Sequence, residues 1–130
     1  MKNIAILTVD DEKIILDSIR SQLERNFGQN YFLEFAETAE EALDIVDDLI
    51  KTDISILLVI SDYQMPGMKG DEFVEILKGK LKFTNIVMLT GQMPYSTSQD
   101  LLSKQIILKV IQKPWQEQEL ISMIKSISAS

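Results

Sequence analysis

Ile4-Ala5-Ile6-Leu7-Thr8-Val9-Asp10-Asp11 is the stretch on which the reading of this chain turns. A near-continuous aliphatic run, without polar alternation, is the pattern of a parallel strand covered on both faces. It closes on two acids, and three further runs close on polar residues. Ile54 to Ile60 leads into Ser61-Asp62, Ile86 to Leu89 into Thr90-Gly91, and Ile106 to Ile111 into Gln112-Lys113-Pro114. In an open α/β sheet the carboxyl ends of the strands line the ligand crevice, so Asp10, Asp11, Asp62, Thr90 and Lys113 are expected to converge.

Helical patterns separate these runs. Ile14, Ile15, Ser18, Ile19, Gln22 and Leu23 form a mostly apolar stripe for a first helix, with Asp10 or Asp11 as N-cap and Gly28 as the stop near Phe27. Tyr31 to Ala36 reads as a short strand, and Thr38 with Glu41 has the spacing of a capping box. Ala42, Leu43, Val46, Leu49 and Ile50 follow as the buried stripe of a second helix. The third run is the most apolar and is expected at the sheet centre. Met65-Pro66-Gly67-Met68-Lys69-Gly70 is a loop by its Pro and Gly content, and Phe73, Val74, Ile76 and Leu77 mark a third helix ending near Gly79. A polar stretch, Gln92 to Gln99, precedes a weak, short helix around Leu101 and Leu102. Pro114 suits the first turn of a last helix striped by Leu120, Ile121, Ile124 and Ile127. Strand and helix alternate throughout, which argues for a doubly wound α/β domain with a five-stranded parallel sheet between two helical layers.

The 130 residues suit one domain. A net charge of −7 and the lack of any basic stripe disfavour direct nucleic-acid binding. With neither cysteine nor histidine, thiolate metal sites and an imidazole base are excluded, so any metal must favour oxygen. No apolar run approaches the roughly 20 residues of a bilayer span, and no export signal is recognisable, so no membrane role and a cytoplasmic location are expected.

Asp62 is the candidate nucleophile, because a carboxylate can accept a phosphoryl group without a base to deprotonate it. Asp10 and Asp11 would hold Mg²⁺, Thr90 would offer its hydroxyl to a phosphoryl oxygen, and Lys113 would meet the developing charge. Each residue also has a plainer reading. The acid pair can be a helix cap, Asp62 a turn residue, Thr90-Gly91 a strand end and Lys113 a solvated side chain. The functional reading draws its force from four strand ends that each carry the residue type the chemistry needs.

Val9-Asp10-Asp11-Glu12, Ser61-Asp62-Tyr63-Gln64-Met65-Pro66-Gly67-Met68-Lys69-Gly70, Leu89-Thr90-Gly91 and Lys113-Pro114-Trp115 together resemble a response regulator receiver domain of two-component signalling. The resemblance implies a flavodoxin-like sheet of order 2-1-3-4-5 with five helices. It implies that Asp62 is phosphorylated by a histidine kinase or phosphotransfer protein and that a downstream effector protein or domain is the output. Asp11, Asp62 and the Gln64 carbonyl would ligate Mg²⁺ directly, with Asp10 acting mainly through water, and Lys113–Pro114 would be cis. Homodimerisation through the last helix and its neighbours is common in similar proteins. Thr90-Gly91 and Lys113-Pro114-Trp115 are also similar to receivers found ahead of signalling enzymes such as cyclic-dinucleotide phosphodiesterases, a hint that the chain is the N-terminal part of a longer protein.

Three features depart from the family pattern or extend it. Val110 stands where an aromatic switch residue is usual, which shifts attention to the loop after Thr90; the segment Gln92 to Gln99 is expected to be mobile and to reorder on phosphorylation. Extra residues around Asn26 to Tyr31 and Ile50 to Ser55 are read as lengthened loops. Trp115 is read as a packing anchor for the last helix. Two other classes compete. A haloacid dehalogenase-like phosphatase needs a second acid two residues after its nucleophile, and Gln64 stands there. A receiver that only binds protein, without phosphorylation, would not need the full set of Asp10, Asp11, Asp62, Thr90 and Lys113.

Overall fold

The computed structural model describes residues 3–129. Five strands, β1 (Ile4–Val9), β2 (Phe32–Ala36), β3 (Ser55–Ser61), β4 (Asn85–Thr90) and β5 (Lys109–Gln112), form one sheet in the order β2-β1-β3-β4-β5. Every pairing is parallel. Between and after them run α1 (Lys13–Phe27), α2 (Ala39–Lys51), α3 (Gly70–Lys80), α4 (Tyr95–Ser103) and α5 (Glu117–Ser128). The expected doubly wound, five-stranded fold is therefore observed.

Alternation along the strands sorts the core into two layers. Ala5, Leu7, Val9, Val59 and Met88 pack with Ala42 and Val46 of α2, Phe73 and Leu77 of α3, and Leu101 of α4. Ile6, Leu58, Ile60, Val87, Leu89 and Ile111 face Ile19 and Leu23 of α1 and Leu120, Ile121 and Ile124 of α5. The central strands β1, β3 and β4 are buried almost throughout, which is why they read as unbroken apolar runs. Trp115 packs against the second layer and its indole Nε1 donates to Gln22 Oε1 at 3.0 Å, as an anchor should.

The local signals are partly corrected. Thr38 caps α2, its Oγ1 accepting from the Glu41 amide at 3.0 Å, while Glu41 Oε1 accepts from the Glu37 amide at 2.7 Å, one residue outside the reciprocal capping box. The N-cap of α1 is Glu12, neither Asp10 nor Asp11, and it caps without its side chain. Asp10 instead accepts from the Glu12 amide at 2.9 Å. Asn26, Phe27, Ile50 and Lys51 belong to α1 and α2, while residues 28–31 and 52–54 form the turns that follow those helices. The polar stretch after Thr90 is not uniformly irregular, since α4 starts at Tyr95.

β5 begins at Lys109 and not at Ile106. Gln105 takes φ 59° and the amides of Gln105 and Ile106 donate to Leu102 and Leu101 carbonyls, a Schellman closure of α4 that consumes the start of the apolar run. Pro114 lies before α5, whose N-cap is Gln116, and the Lys113–Pro114 peptide is cis as the resemblance implied.

Candidate functional site

Parallel register carries the site residues to one rim. Val9 lies opposite Ser61, and Thr90 opposite Gln112. The ladder continues one step past the strands: the Asp62 amide donates to Val9 O at 3.0 Å, Lys113 to Thr90 O at 3.0 Å and Asp10 to Ala36 O at 3.1 Å. Asp10, Asp62 and Lys113 are thereby fixed by backbone bonds as each chain leaves the sheet.

Lys113 Nζ is the hub. It donates to Asp10 Oδ2 at 2.7 Å, Asp62 Oδ2 at 3.2 Å and Glu12 Oε1 at 3.3 Å. Asp10 and Asp62 are buried, with relative exposures of 1% and 5%, whereas the Glu12 side chain is 62% exposed. The two oxygens of Asp62 are differently held. Oδ1 accepts from the Tyr63 amide at 2.7 Å and the Gln64 amide at 3.4 Å, and Oδ2 faces the ammonium.

Asp10, Asp11 and Asp62 each offer a carboxylate oxygen within 4.8 Å of the others. Burial is the largest influence on Asp10 and pushes its carboxyl above the ordinary value, although the Lys113 hydrogen bond and the Glu12 amide oppose the shift. Burial alone would lower Lys113. The hydrogen bond and charge of Asp10, with Asp62 behind them, outweigh burial and hold the ammonium above its ordinary value. Both shifts fit a rim where acids outnumber the cation that serves them.

Thr90 is buried, and its Oγ1 exchanges two long hydrogen bonds of 3.3 Å with the backbone of Gln92. Thr90, Gly91, Gln92 and Lys113 wall one small cleft beside Asp62. A larger cleft opens on the other side, bounded by Asp11, Tyr63, Met65, Pro66, Lys69 and Pro94. Gln64 borders both, so the residue expected to supply a carbonyl ligand sits at the rim.

The β3–α3 loop is clamped against the rim. Its buried Tyr63 and Met65 anchor it in the core, Gly67 takes φ 85°, and the Gly70 amide donates to Tyr63 O at 2.6 Å. A Cβ on Gly70 would lie 2.6 Å from Tyr63 Cα and 2.9 Å from Asp62 O, so only glycine permits this approach.

The structure thus brings together Asp10, Asp11, Asp62 and Lys113, with Thr90 and Gln64 lining the same clefts. Sequence reasoning assigned no role to Glu12, whose partner Lys113 lies 101 residues away along the chain. It also missed the close packing of Gly70; the loop composition marked a turn there but not which glycine touches the strand end.

Comparison with known proteins agrees with this geometry. Residues 6–125 match the sequence model of the response regulator receiver domain. The transcriptional regulatory protein YvrH of Bacillus subtilis is 40% identical over 78 residues, 60% of this chain and 30% of that protein. The uncharacterized transcriptional regulatory protein YesN of the same organism is 27% identical over 124 residues, 95% of this chain and 32% of that protein. The chain therefore spans about a third of the length of these curated relatives.

Among solved structures, a CheY-like response regulator receiver domain protein from Methanospirillum hungatei superposes with a TM-score of 0.82 at 28% identity, covering 96% of this chain and 94% of that one. The signal receiver domain of an HD domain-containing protein from Pseudomonas fluorescens gives 0.81 at 26% identity, with coverages of 96% and 94%. With its flavodoxin-like sheet, its acid-lined rim and a family match across nearly its whole length, the chain belongs to the response regulator receiver domains of two-component signalling.

Proposed function

We propose that this receiver accepts a phosphoryl group on Asp62 and that the modification is its signal. The observation that carries the proposal is the shared lysine: one ammonium bonds both Asp10 and Asp62, while three aspartate carboxylates lie within 4.8 Å of one another.

The donor set fits Mg²⁺. It is built of oxygen alone, two of its acids are buried, and a single lysine faces Asp10, Asp62 and Glu12. Asp11, Asp62 and the Gln64 carbonyl would hold the ion directly and Asp10 mainly through water; when bound, it would neutralise these acids and phosphoryl oxygens.

In transfer from a histidine kinase or phosphotransfer protein, an Asp62 carboxylate oxygen bonds to phosphorus as the phosphorus–nitrogen bond breaks, and the electron pair returns to the donor's imidazole. No base is needed, which suits a chain without histidine. Lys113 stays beside the phosphoryl oxygens, and Thr90 leaves Gln92 to donate to one of them. The chain acts as an autocatalytic phosphoacceptor and not as a turnover enzyme. Its relatives YvrH and YesN are named as transcriptional regulatory proteins, which supports a downstream effector partner or domain as the output. Among the described residues no helix is long and apolar enough to cross a membrane, and a cytoplasmic location is proposed with the kinase partnership.

Incubation with Mg²⁺ and acetyl phosphate tests the reading. The protein should gain one hydroxylamine-sensitive phosphoryl group by intact mass, and Asp62→Asn should gain none. Equal labelling of both would refute Asp62 as the acceptor.

A further inference from the structure

Glu12 is a charged group at the rim that the proposed function leaves without a task. Its side chain makes no cap for α1, although its backbone stands at the N-cap. It is exposed, and its Oε1 lies 3.3 Å from Lys113 Nζ. Its position is shared: Glu12, Asp62 and Gln64 border both the cleft beside Thr90 and the larger cleft beside Met65 and Lys69. A phosphodonor approaching Asp62 through either cleft therefore passes this carboxylate.

Charge at that place matters more than on an open surface. The cleft walls exclude part of the solvent and focus the field of the groups that line them. Around the mouth stand the exposed acids Asp11 and Glu12 and, across the larger cleft, the exposed cation Lys69. Asp11 is committed to the acid triad. Lys113, already shared between two buried carboxylates, cannot neutralise Glu12 fully.

Resting on the phosphoacceptor reading of Asp62, we propose that Glu12 determines donor specificity: its carboxylate, paired with Lys113 and bordering both clefts that reach Asp62, disfavours doubly charged small phosphodonors relative to singly charged ones. The repulsion scales with donor charge, so it discriminates between donors that deliver the same group to the same oxygen.

Two small donors serve as probes. Acetyl phosphate is doubly charged at neutral pH and phosphoramidate carries a single net charge. Rate constants for labelling would be measured for both, with Mg²⁺ at low salt, on the wild type, Glu12→Gln and Glu12→Asp. Glu12→Gln should raise the acetyl phosphate rate roughly three- to fivefold and the phosphoramidate rate by about half as much on a logarithmic scale. The ratio of the acetyl phosphate rate to the phosphoramidate rate then rises. Glu12→Asp keeps the charge and should keep the wild-type preference. Salt should compress the wild-type difference more than that of Glu12→Gln, which keeps Asp11 but not Glu12 at the mouth.

A change by the same factor for both donors would mean that Glu12 only positions Lys113 or the start of α1, and would overturn the proposal. So would rates that do not change. If the wild type were labelled by neither donor, the phosphoacceptor reading itself would fall; labelling with an unmoved donor ratio would remove the specificity role alone.

Discussion

Gly70→Ala sets two local rules against each other at the strand end that carries Asp62. Gly70 opens α3, where alanine should be favoured over glycine by about 0.5–1 kcal/mol. The new methyl group would stand 2.6 Å from Tyr63 Cα and 2.9 Å from the carbonyl oxygens of Asp62 and Tyr63. Ordinary contacts begin near ~3.5 Å, so the overlap approaches 1 Å, and all three opposing atoms are backbone atoms that cannot rotate away. Overpacking of this kind costs about 1–3 kcal/mol. Displacing α3 would also stretch the bond from the Gly70 amide to Tyr63 O, now 2.6 Å, worth about 0.5–1.5 kcal/mol. The balance is a loss of about 2–3 kcal/mol. Urea denaturation should show it as a midpoint lower by about 1–2 M at unchanged slope. A midpoint equal to or above that of the wild type would refute the reasoning, because helix propensity would then have won and the close approach would carry no constraint.

Two other perturbations reach the rim from different sides. Asp10 has its folded-state pKa raised, mainly by burial, so its ionised form is disfavoured in the folded protein. Asp10→Asn, in a chelator, should therefore be the more stable protein at neutral pH, with an advantage that shrinks as pH falls through the raised value and is gone below the ordinary 3.8; denaturation midpoints that diverge on acidification would contradict this. Phosphorylation should alter amide exchange at Gln92 and in the first turn of α4, because the single Thr90 hydroxyl proton can meet a phosphoryl oxygen only by releasing its 3.3 Å bond to Gln92 O. Identical protection with and without acetyl phosphate and Mg²⁺ would place the output elsewhere.

How legible these features were depended on whether one physical signal acted alone. β1, β3 and β4 are covered on both faces, so burial wrote them as unbroken apolar runs, and the residue after each run landed at the rim. Asp10, Asp62 and Thr90 were readable for that reason, whereas Lys113 follows β5, a four-residue strand buried only at Ile111. Thr38 announced α2 through a side-chain bond to Glu41, a cause four residues wide. Glu12 was illegible in its role because nothing local distinguishes an acid held by a distant lysine from one in open water. Gly70 was illegible because its constraint comes from the Tyr63 backbone across a loop, and composition cannot say which of several glycines touches it.

The misread boundaries of α4 and β5 share a cause that also bears on signalling. Tyr95-Ser96-Thr97-Ser98-Gln99-Asp100 has no apolar stripe, because α4 buries only Leu101 fully. With Pro94 at its N-cap, α4 has no side-chain cap bond, and it ends on a non-glycine residue with positive φ, Gln105, a conformation that costs an L-residue about 1–2 kcal/mol. The apolar run that looked like the start of β5 is partly spent in closing this helix, with the amides of Ile106 and Ile107 donating to Leu101 O. Weak burial, a missing cap and a strained end are the properties that obscure a helix in sequence. They also make it inexpensive to move. Thr90 joins that helix through Gly91, Gln92, Met93 and Pro94 alone, and the bonds that tie its hydroxyl to Gln92 are long. A valine at position 110, partly buried against the same core layer, has no aromatic ring to swing, so a rearrangement at Thr90 has this short backbone path to the surface at Tyr95.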